Sequence, residues 1–173
     1  MRRLRYQVAM SLDGYIAGPD GEFDWIVMDP DIDFEALYAE FDTAVMGRKT
    51  FLATQQQGGG GAMPGLDVVV FSRTLDPGDY PAVSIVSGDP ADSVRSLKTR
   101  PGKDIWLFGG GELFRLLLEA GLVDTVEPAV VPVLLGGGVP MLPTPAARTR
   151  LSLSAHHRYP KSGIMLLEYT VSR

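Results

Sequence analysis

The chain has 173 residues, a formal charge of −5, 45% hydrophobic and 21% charged content, and no cysteine. That length fits one domain with a real core, and the composition is that of a soluble globular protein rather than a disordered one. Disulfide and thiol chemistry are excluded, the net acidity argues against nucleic acid as the main partner, and no apolar run approaches the roughly 20 residues a membrane helix needs.

Met1-Arg2-Arg3 leads straight into strand-like sequence with no long apolar core of a signal peptide, so the expected location is the cytoplasm. Residues 4–10 read as a strand, and its apolar end, Val8-Ala9-Met10, suits a central position covered on both faces. Ser11-Leu12-Asp13-Gly14-Tyr15-Ile16-Ala17-Gly18 reads as a loop. Residues 18–33 hold Pro19, Gly21, Pro30 and five aspartates, an irregular stretch with Trp25 as its anchor. Asp33 has the character of an N-cap, and Phe34, Leu37, Tyr38 and Phe41 follow at helical spacing, predicting a helix over 34–41.

Residues 43–46 form a short buried strand, and Gly47-Arg48-Lys49-Thr50-Phe51 turns into a second helix. The low-complexity stretch 55–65 reads as a surface loop. Residues 66–71 make a strand around Val68-Val69-Val70 that ends at Ser72-Arg73-Thr74, and 83–86 make another. Asp89-Pro90, a cap followed by proline at the first helical position, opens a helix to about Lys98.

The period then changes across three glycines. Asp104 to Phe108 is strand-like, Gly109-Gly110-Gly111 follows, and Glu112 to Glu119 is amphipathic. Such a turn lets a ligand approach the backbone and offers free amides to an anion, although a simple tight turn has the same look. A strand over 123–131, a second glycine-rich loop at 136–138, and a hairpin of strands 150–157 and 164–171 complete the chain. The pattern predicts an α/β fold with a single, mainly parallel sheet of about eight strands, flanking helices and an antiparallel C-terminal hairpin. The strand 123–131 and the segment 133–135 would bury either core or a homodimer interface.

In such sheets ligands bind beyond the carboxyl ends of strands. Three ends carry suitable groups: Gly47 to Thr50, Ser72 to Thr74, and Gly109 to Gly111. Arginine suits a phosphate monoester through its planar fork, and glycine amides suit a pyrophosphate. Together these ends fit a phosphorylated dinucleotide. His156 and His157 stand alone, without the further ligands of a metal site.

Met46-Gly47-Arg48-Lys49-Thr50-Phe51, Val70-Phe71-Ser72-Arg73 and Phe108-Gly109-Gly110-Gly111-Glu112-Leu113-Phe114 resemble dihydrofolate reductase in order and approximate spacing. Ser11-Leu12-Asp13-Gly14-Tyr15-Ile16-Ala17 resembles the reductase domain of bacterial riboflavin biosynthesis, a relative with the same fold. Over nearly its whole length the chain resembles dihydrofolate-reductase-like proteins with that riboflavin-type C-terminal domain. The resemblance implies NADPH as hydride donor, with Arg48, Ser72 and Arg73 on the 2′-phosphate and Lys49 and Thr74 beside them. It implies that Thr50 and the Gly110-Gly111 backbone face the pyrophosphate, with Gly47, Phe108, Gly109, Glu112 and Leu113 in the same turns. Ala9 and Ile16 would line the nicotinamide, and the Gly109–Gly110 peptide would be cis. The substrate pocket would take Trp25, Phe34, Leu37, Tyr38 and Phe114, and homodimers are common among the riboflavin-type relatives.

The departures matter equally. The riboflavin-pathway reductases carry lysine where this chain has Tyr15 and glutamate where it has Phe108, which argues against their phosphorylated pyrimidine. Folate reduction needs a carboxylate on the first helix, for which Asp33 is the nearest candidate, with Asp31 and Glu35 behind it. Phe114 replaces the tyrosine that approaches the nicotinamide. Asp13 is either a proton donor or the maker of its own turn; Asp33 is either an acid or a plain cap; Trp25 either closes the pocket or pins its loop. The reading is an NADPH-dependent reductase of a small heterocyclic substrate. A true dihydrofolate reductase and a non-catalytic nucleotide-binding module are the alternatives.

Overall fold

The computed structural model describes residues 1–55 and 61–172. Of the loop expected over 55–65, residues 56–60 lie outside the described residues. Fully buried side chains divide between the two faces of one sheet, and the sequence accounts for both.

The sheet has eight strands: β1 (Leu4–Ser11), β3 (Phe41–Gly47), β4 (Asp67–Phe71), β5 (Ser84–Val86), β6 (Asp104–Gly109), β7 (Thr125–Val131), β9 (Leu151–Arg158) and β10 (Met165–Val171). Their order is β5-β4-β3-β6-β1-β7-β10-β9. The first six in that order pair in parallel, and β10 pairs antiparallel with both β7 and β9. This is the mainly parallel sheet with a C-terminal hairpin that the sequence predicts. β1 lies between β6 and β7, so both its edges are paired; its first residues, Leu4 to Tyr6, are buried, and its apolar end, Val8-Ala9-Met10, is half-buried. β7 is likewise interior, and Val126 and Val131 pack inside the molecule at 2% exposure each.

One face carries Leu4, Tyr6, Ile105, Leu107 and Val126 beneath α3 (Pro90–Thr99) and α4 (Gly111–Glu119). The opposite face carries Phe41, Ala44 and Trp106 beside Met46, Val68 and Val70, and receives α1 (Phe34–Ala39) and α2 (Arg48–Gln55). Asp89 caps α3 through Asp92 N at 2.9 Å, with Pro90 at the first helical position, as expected. Phe51 anchors α2, packed edge-on against Tyr80 at 5.1 Å.

Two readings of the sequence change. The first helix stops at Ala39, and Phe41 opens β3 instead of ending the helix. Phe41 continues the helical spacing of its neighbours, but its burial at 2% exposure against Trp106 draws it into the sheet. The loop after β1 contains a strand, β2 (Tyr15–Ala17), which pairs antiparallel with β8 (Val139–Pro140) in a second, small sheet. Among the described residues no helix is long and apolar enough to cross a membrane.

Candidate functional site

The carboxyl ends of β4, β3 and β6 lie side by side, because these strands are consecutive and parallel in the sheet. The sequence stretches they release are therefore neighbours. After β3, an added Cβ at Gly47 would meet no atom within 4 Å, which leaves open space above the strand end. Arg48 and Lys49 follow, both exposed, and Thr50 is half-buried. After β4, Ser72 is 8% exposed and its Oγ accepts from Thr74 N at 3.2 Å and Leu75 N at 3.1 Å. Its hydroxyl proton remains available to donate. Arg73 and Thr74 stand exposed beyond it. None of Arg48, Lys49 and Arg73 has an ion-pair partner among the described residues.

After β6 comes the glycine turn. Gly109 has a φ of 135°, a backbone that side-chain-bearing residues rarely adopt, and the Gly109–Gly110 peptide is cis. Gly110 caps α4 without any side-chain bond, so the first-turn amides of that helix are not satisfied by a cap. A Cβ at Gly110 would lie 3.1 Å from Thr50 Oγ1, which brings the β3 and β6 turns into contact. At Gly111 it would lie 2.6 Å from Pro140 O, so only glycine lets the loop after β7 lie against this turn. Glu112 is exposed and bonds Arg115 at 2.8 Å, whereas Leu113 is 8% exposed in the core under α4.

A second region lies beside β1, on the face that receives α1. Ala9, on β1, and Ile16, on β2, are half-buried. The Trp106 ring lies 5.4 Å from Tyr38, 4.9 Å from Phe108 and 5.6 Å from Phe41, forming an aromatic wall. Phe34 extends it, 6.0 Å from Tyr38. Helix α1 contributes no fully buried residue: Phe34 and Leu37 are half-buried and Tyr38 is exposed. An apolar cavity of about 110 Å³ continues beneath it, lined by Tyr38, Ala62, Met63, Pro64, Leu66 and Trp106. Trp25 is half-buried and donates to Glu22 O at 3.2 Å, which ties it to its own loop. Phe114 is not in this group. It stacks on Tyr6 at 3.9 Å in the core of the opposite face.

The two carboxylates singled out from the sequence are both engaged with backbone. Asp13 accepts from Ser11 Oγ at 2.7 Å, Leu135 N at 3.1 Å and Gly136 N at 2.7 Å. The Ser11 hydroxyl, followed by the two amides, holds its carboxyl below the ordinary aspartate range. It thereby clips the second glycine-rich loop to the end of β1. Asp33 is exposed and accepts from Ala36 N at 2.9 Å as the cap of α1. Asp31 pairs with Lys161 at 2.6 Å, and Glu35 points to solvent.

The acids with little exposure are others, at 2% each: Asp29 and Glu127. Asp29 accepts from Asp31 N and Ser162 N, both at 2.9 Å, and joins the loop before α1 to the tip of the β9–β10 hairpin. Glu127 meets Arg5 in a two-point pair, Nε to Oε1 and Nη2 to Oε2, both at 2.8 Å, with Thr125 Oγ1 at 2.6 Å. Arg5 also bonds Glu40 and lies 4.8 Å over the Phe41 ring. The available signal for this pair was charge inside an apolar strand: Arg5 on one central strand and Glu127 on its neighbour.

The chain matches the family model of the RibD C-terminal domain over residues 2–165. It is 34% identical to the uncharacterized protein YyaP of Bacillus subtilis, covering 97% of this chain and 94% of that protein. It is 30% identical to the riboflavin biosynthesis protein RibD of Mycobacterium tuberculosis over 78% of this chain and 43% of that protein. Among solved structures it is similar to a Shewanella protein provisionally named for riboflavin biosynthesis, at 27% identity, a TM-score of 0.84 and 99% coverage of both chains. Dihydrofolate reductase from Enterococcus faecalis shares the fold, with a TM-score of 0.72, 15% identity, and coverage of 99% of this chain and 97% of that one. On the family match, running nearly end to end, the chain belongs to the RibD C-terminal domain family, within a dihydrofolate-reductase-like fold.

Proposed function

We propose that the chain is an NADPH-dependent reductase of a small planar heterocycle. The observation that carries this reading is the convergence of three consecutive parallel strand ends, with Arg48, Lys49 and Arg73 unpaired among the described residues beside an uncapped glycine turn. Fixed cations and a hydroxyl donor suit a phosphate monoester, and free helix amides suit a pyrophosphate.

Arg73, Arg48 and the Ser72 hydroxyl hold the 2′-phosphate, with Lys49 and Thr74 adding charge and a donor at the rim. Thr50 and the amides of Gly110 and Gly111 hold the pyrophosphate. Ala9 and Ile16 set the limit of the nicotinamide site. NADPH supplies the hydride when bound. The substrate lies in the crevice between α1 and the sheet, stacked in the company of Trp106, Tyr38 and Phe108, which exclude water from the reacting carbon. A proton from solvent completes the two-electron reduction. Arg5, a buried cation on this face, is spent on Glu127, Glu40 and Asp104. That favours a substrate without a phosphate in the crevice, in keeping with Tyr15 and Phe108 at positions where polar residues are otherwise expected.

The test is NADPH oxidation across a panel of heterocycles that includes dihydrofolate and a phosphoribosylated aminouracil. Turnover with an unphosphorylated ring supports the reading. Oxidation only with the phosphoribosylated ring refutes the substrate half, and NADPH binding without any oxidation favours a nucleotide-binding module.

A further inference from the structure

Gln7 stands on β1 between two parts of the α1 face that differ in character. On one side of it along the strand is the buried Arg5–Glu127 pair, and on the other is Ala9 at the candidate nicotinamide site. Its backbone oxygen accepts from Trp106 Nε1 at 3.0 Å, so the aromatic wall is tied directly to this residue. Its side-chain Nε2 donates to Glu127 Oε2 at 3.4 Å. Its Oε1 is buried and has no hydrogen-bond partner among the described residues.

The amide cannot be turned around to relieve this. Reversal would set Oε1 against the carboxylate of Glu127, whose charge is held by the two-point pair with Arg5 and by Thr125 Oγ1. The ion pair thus fixes which end of the amide faces away from it. What remains is an acceptor, fixed in orientation, closed to solvent and without a donor among the described residues, on the sheet face that carries the aromatic wall. Buried acceptors without partners are uncommon in native proteins, and a bound group is one way they are satisfied.

We propose that Gln7 is a specificity-determining residue whose Oε1, covered in the unliganded chain, is uncovered as a planar heterocycle settles against Trp106, Tyr38 and Phe108 and then accepts a hydrogen bond from a ring N–H. The proposal rests on the reductase reading and narrows its substrate class. A ring edge that presents N–H is accepted. An edge that presents only carbonyl oxygens, or an anion, meets Oε1 with the charge of Glu127 behind it and is rejected. Arg5 and Glu127 act as positioning residues, since they reach the substrate only through Gln7. A site built around one hydrogen bond discriminates strongly against an analogue that lacks it.

The test uses lumazine, a planar pteridinedione with ring N–H groups, and 1,3-dimethyllumazine, which has none. Binding of each is measured by fluorescence, with and without NADPH, to the wild-type chain and to Gln7→Leu and Gln7→Met. NADPH affinity alone is measured for all three proteins. The expected result is that wild type prefers lumazine by about tenfold, that both variants lose this preference, and that NADPH affinity is unchanged. Two variants of different shape guard against a folding defect in one of them. A preference that persists in both variants reflects methyl bulk rather than Gln7 and overturns the proposal. So does equal binding of the two rings to wild type, or binding of neither. Failure of NADPH to bind the wild-type chain is read separately and strikes the reductase reading instead.

Discussion

Removing the Glu127 carboxylate tests the packing account at its most charged point. Glu127 and Arg5 are 2% and 6% exposed, and two bonds of 2.8 Å join them. Burial works against the charge on Arg5, but the bonds to Glu127 and Glu40 and their charges outweigh it and hold the guanidinium above the ordinary arginine range. Glu127→Ala leaves that cation with Glu40, whose side chain is 52% exposed, and with Asp104 at 3.6 Å, whose side chain is 18% exposed and already engaged by Arg3. Losing one partner of a buried pair costs about 3–5 kcal/mol. In a protein of this size each kcal/mol lowers Tm by about 2–4 °C, so the melting point falls by roughly 6–20 °C. Arg5→Met combined with Glu127→Leu removes both charges and fills the space, and stays within about 1 kcal/mol of wild type or above it. Urea unfolding followed by circular dichroism on wild type, both single variants and the double variant measures all of these. A single-variant cost below about 1 kcal/mol, or a double variant as unstable as the sum of the singles, would refute the reasoning.

Arg73→Ala weakens NADPH binding about tenfold and leaves NADH binding unchanged, because the lost partner is a phosphate that only NADPH carries; calorimetric titration of both nucleotides reads this directly. Gly111→Ala places a Cβ 2.6 Å from Pro140 O and 2.9 Å from Met141 O, backbone atoms that must shift, and costs about 1–3 kcal/mol in thermal unfolding. Asp13, Asp29 and Asp104 all have carboxyls held below the ordinary aspartate range, Asp29 chiefly by the Ser162 hydroxyl. Their stabilisation is present above the unfolded value of about 3.9 and is lost as pH falls through the lower folded values, so Tm drops below about pH 4. Asp29→Asn flattens that acid limb; an unchanged limb would remove Asp29 from the account.

The parts of the molecule legible in the sequence are those governed by local period and by turn chemistry. The strand-glycine-helix unit around Gly109 to Gly111, the Asp89-Pro90 cap and the C-terminal hairpin carry their signals within a few residues. Phe41 misleads because helical spacing and burial against Trp106 compete, and burial wins. The β2–β8 sheet pairs three residues with two that lie more than 120 positions later, too short and too distant to leave a periodic trace. Asp13 looks the same in sequence whether it shapes its turn or acts as an acid; its bonds to Leu135 N and Gly136 N depend on a loop that only the fold brings near. Phe114 follows the glycine turn in sequence, yet the helical direction of α4 sends its ring to the core face, onto Tyr6. Gln7 left no signal at all, since an amide in a strand reads as ordinary until the carboxylate beside it is known.

The central claim is that the edge formed by β4, β3 and β6 holds a dinucleotide carrying a 2′-phosphate. Parallel calorimetric titrations of the wild-type chain with NADPH and NADH test it most directly. The account predicts saturable one-to-one binding of NADPH, at least tenfold tighter than NADH, with the difference shrinking as salt is raised. Absence of NADPH binding, or equal affinity for the two nucleotides, would contradict it.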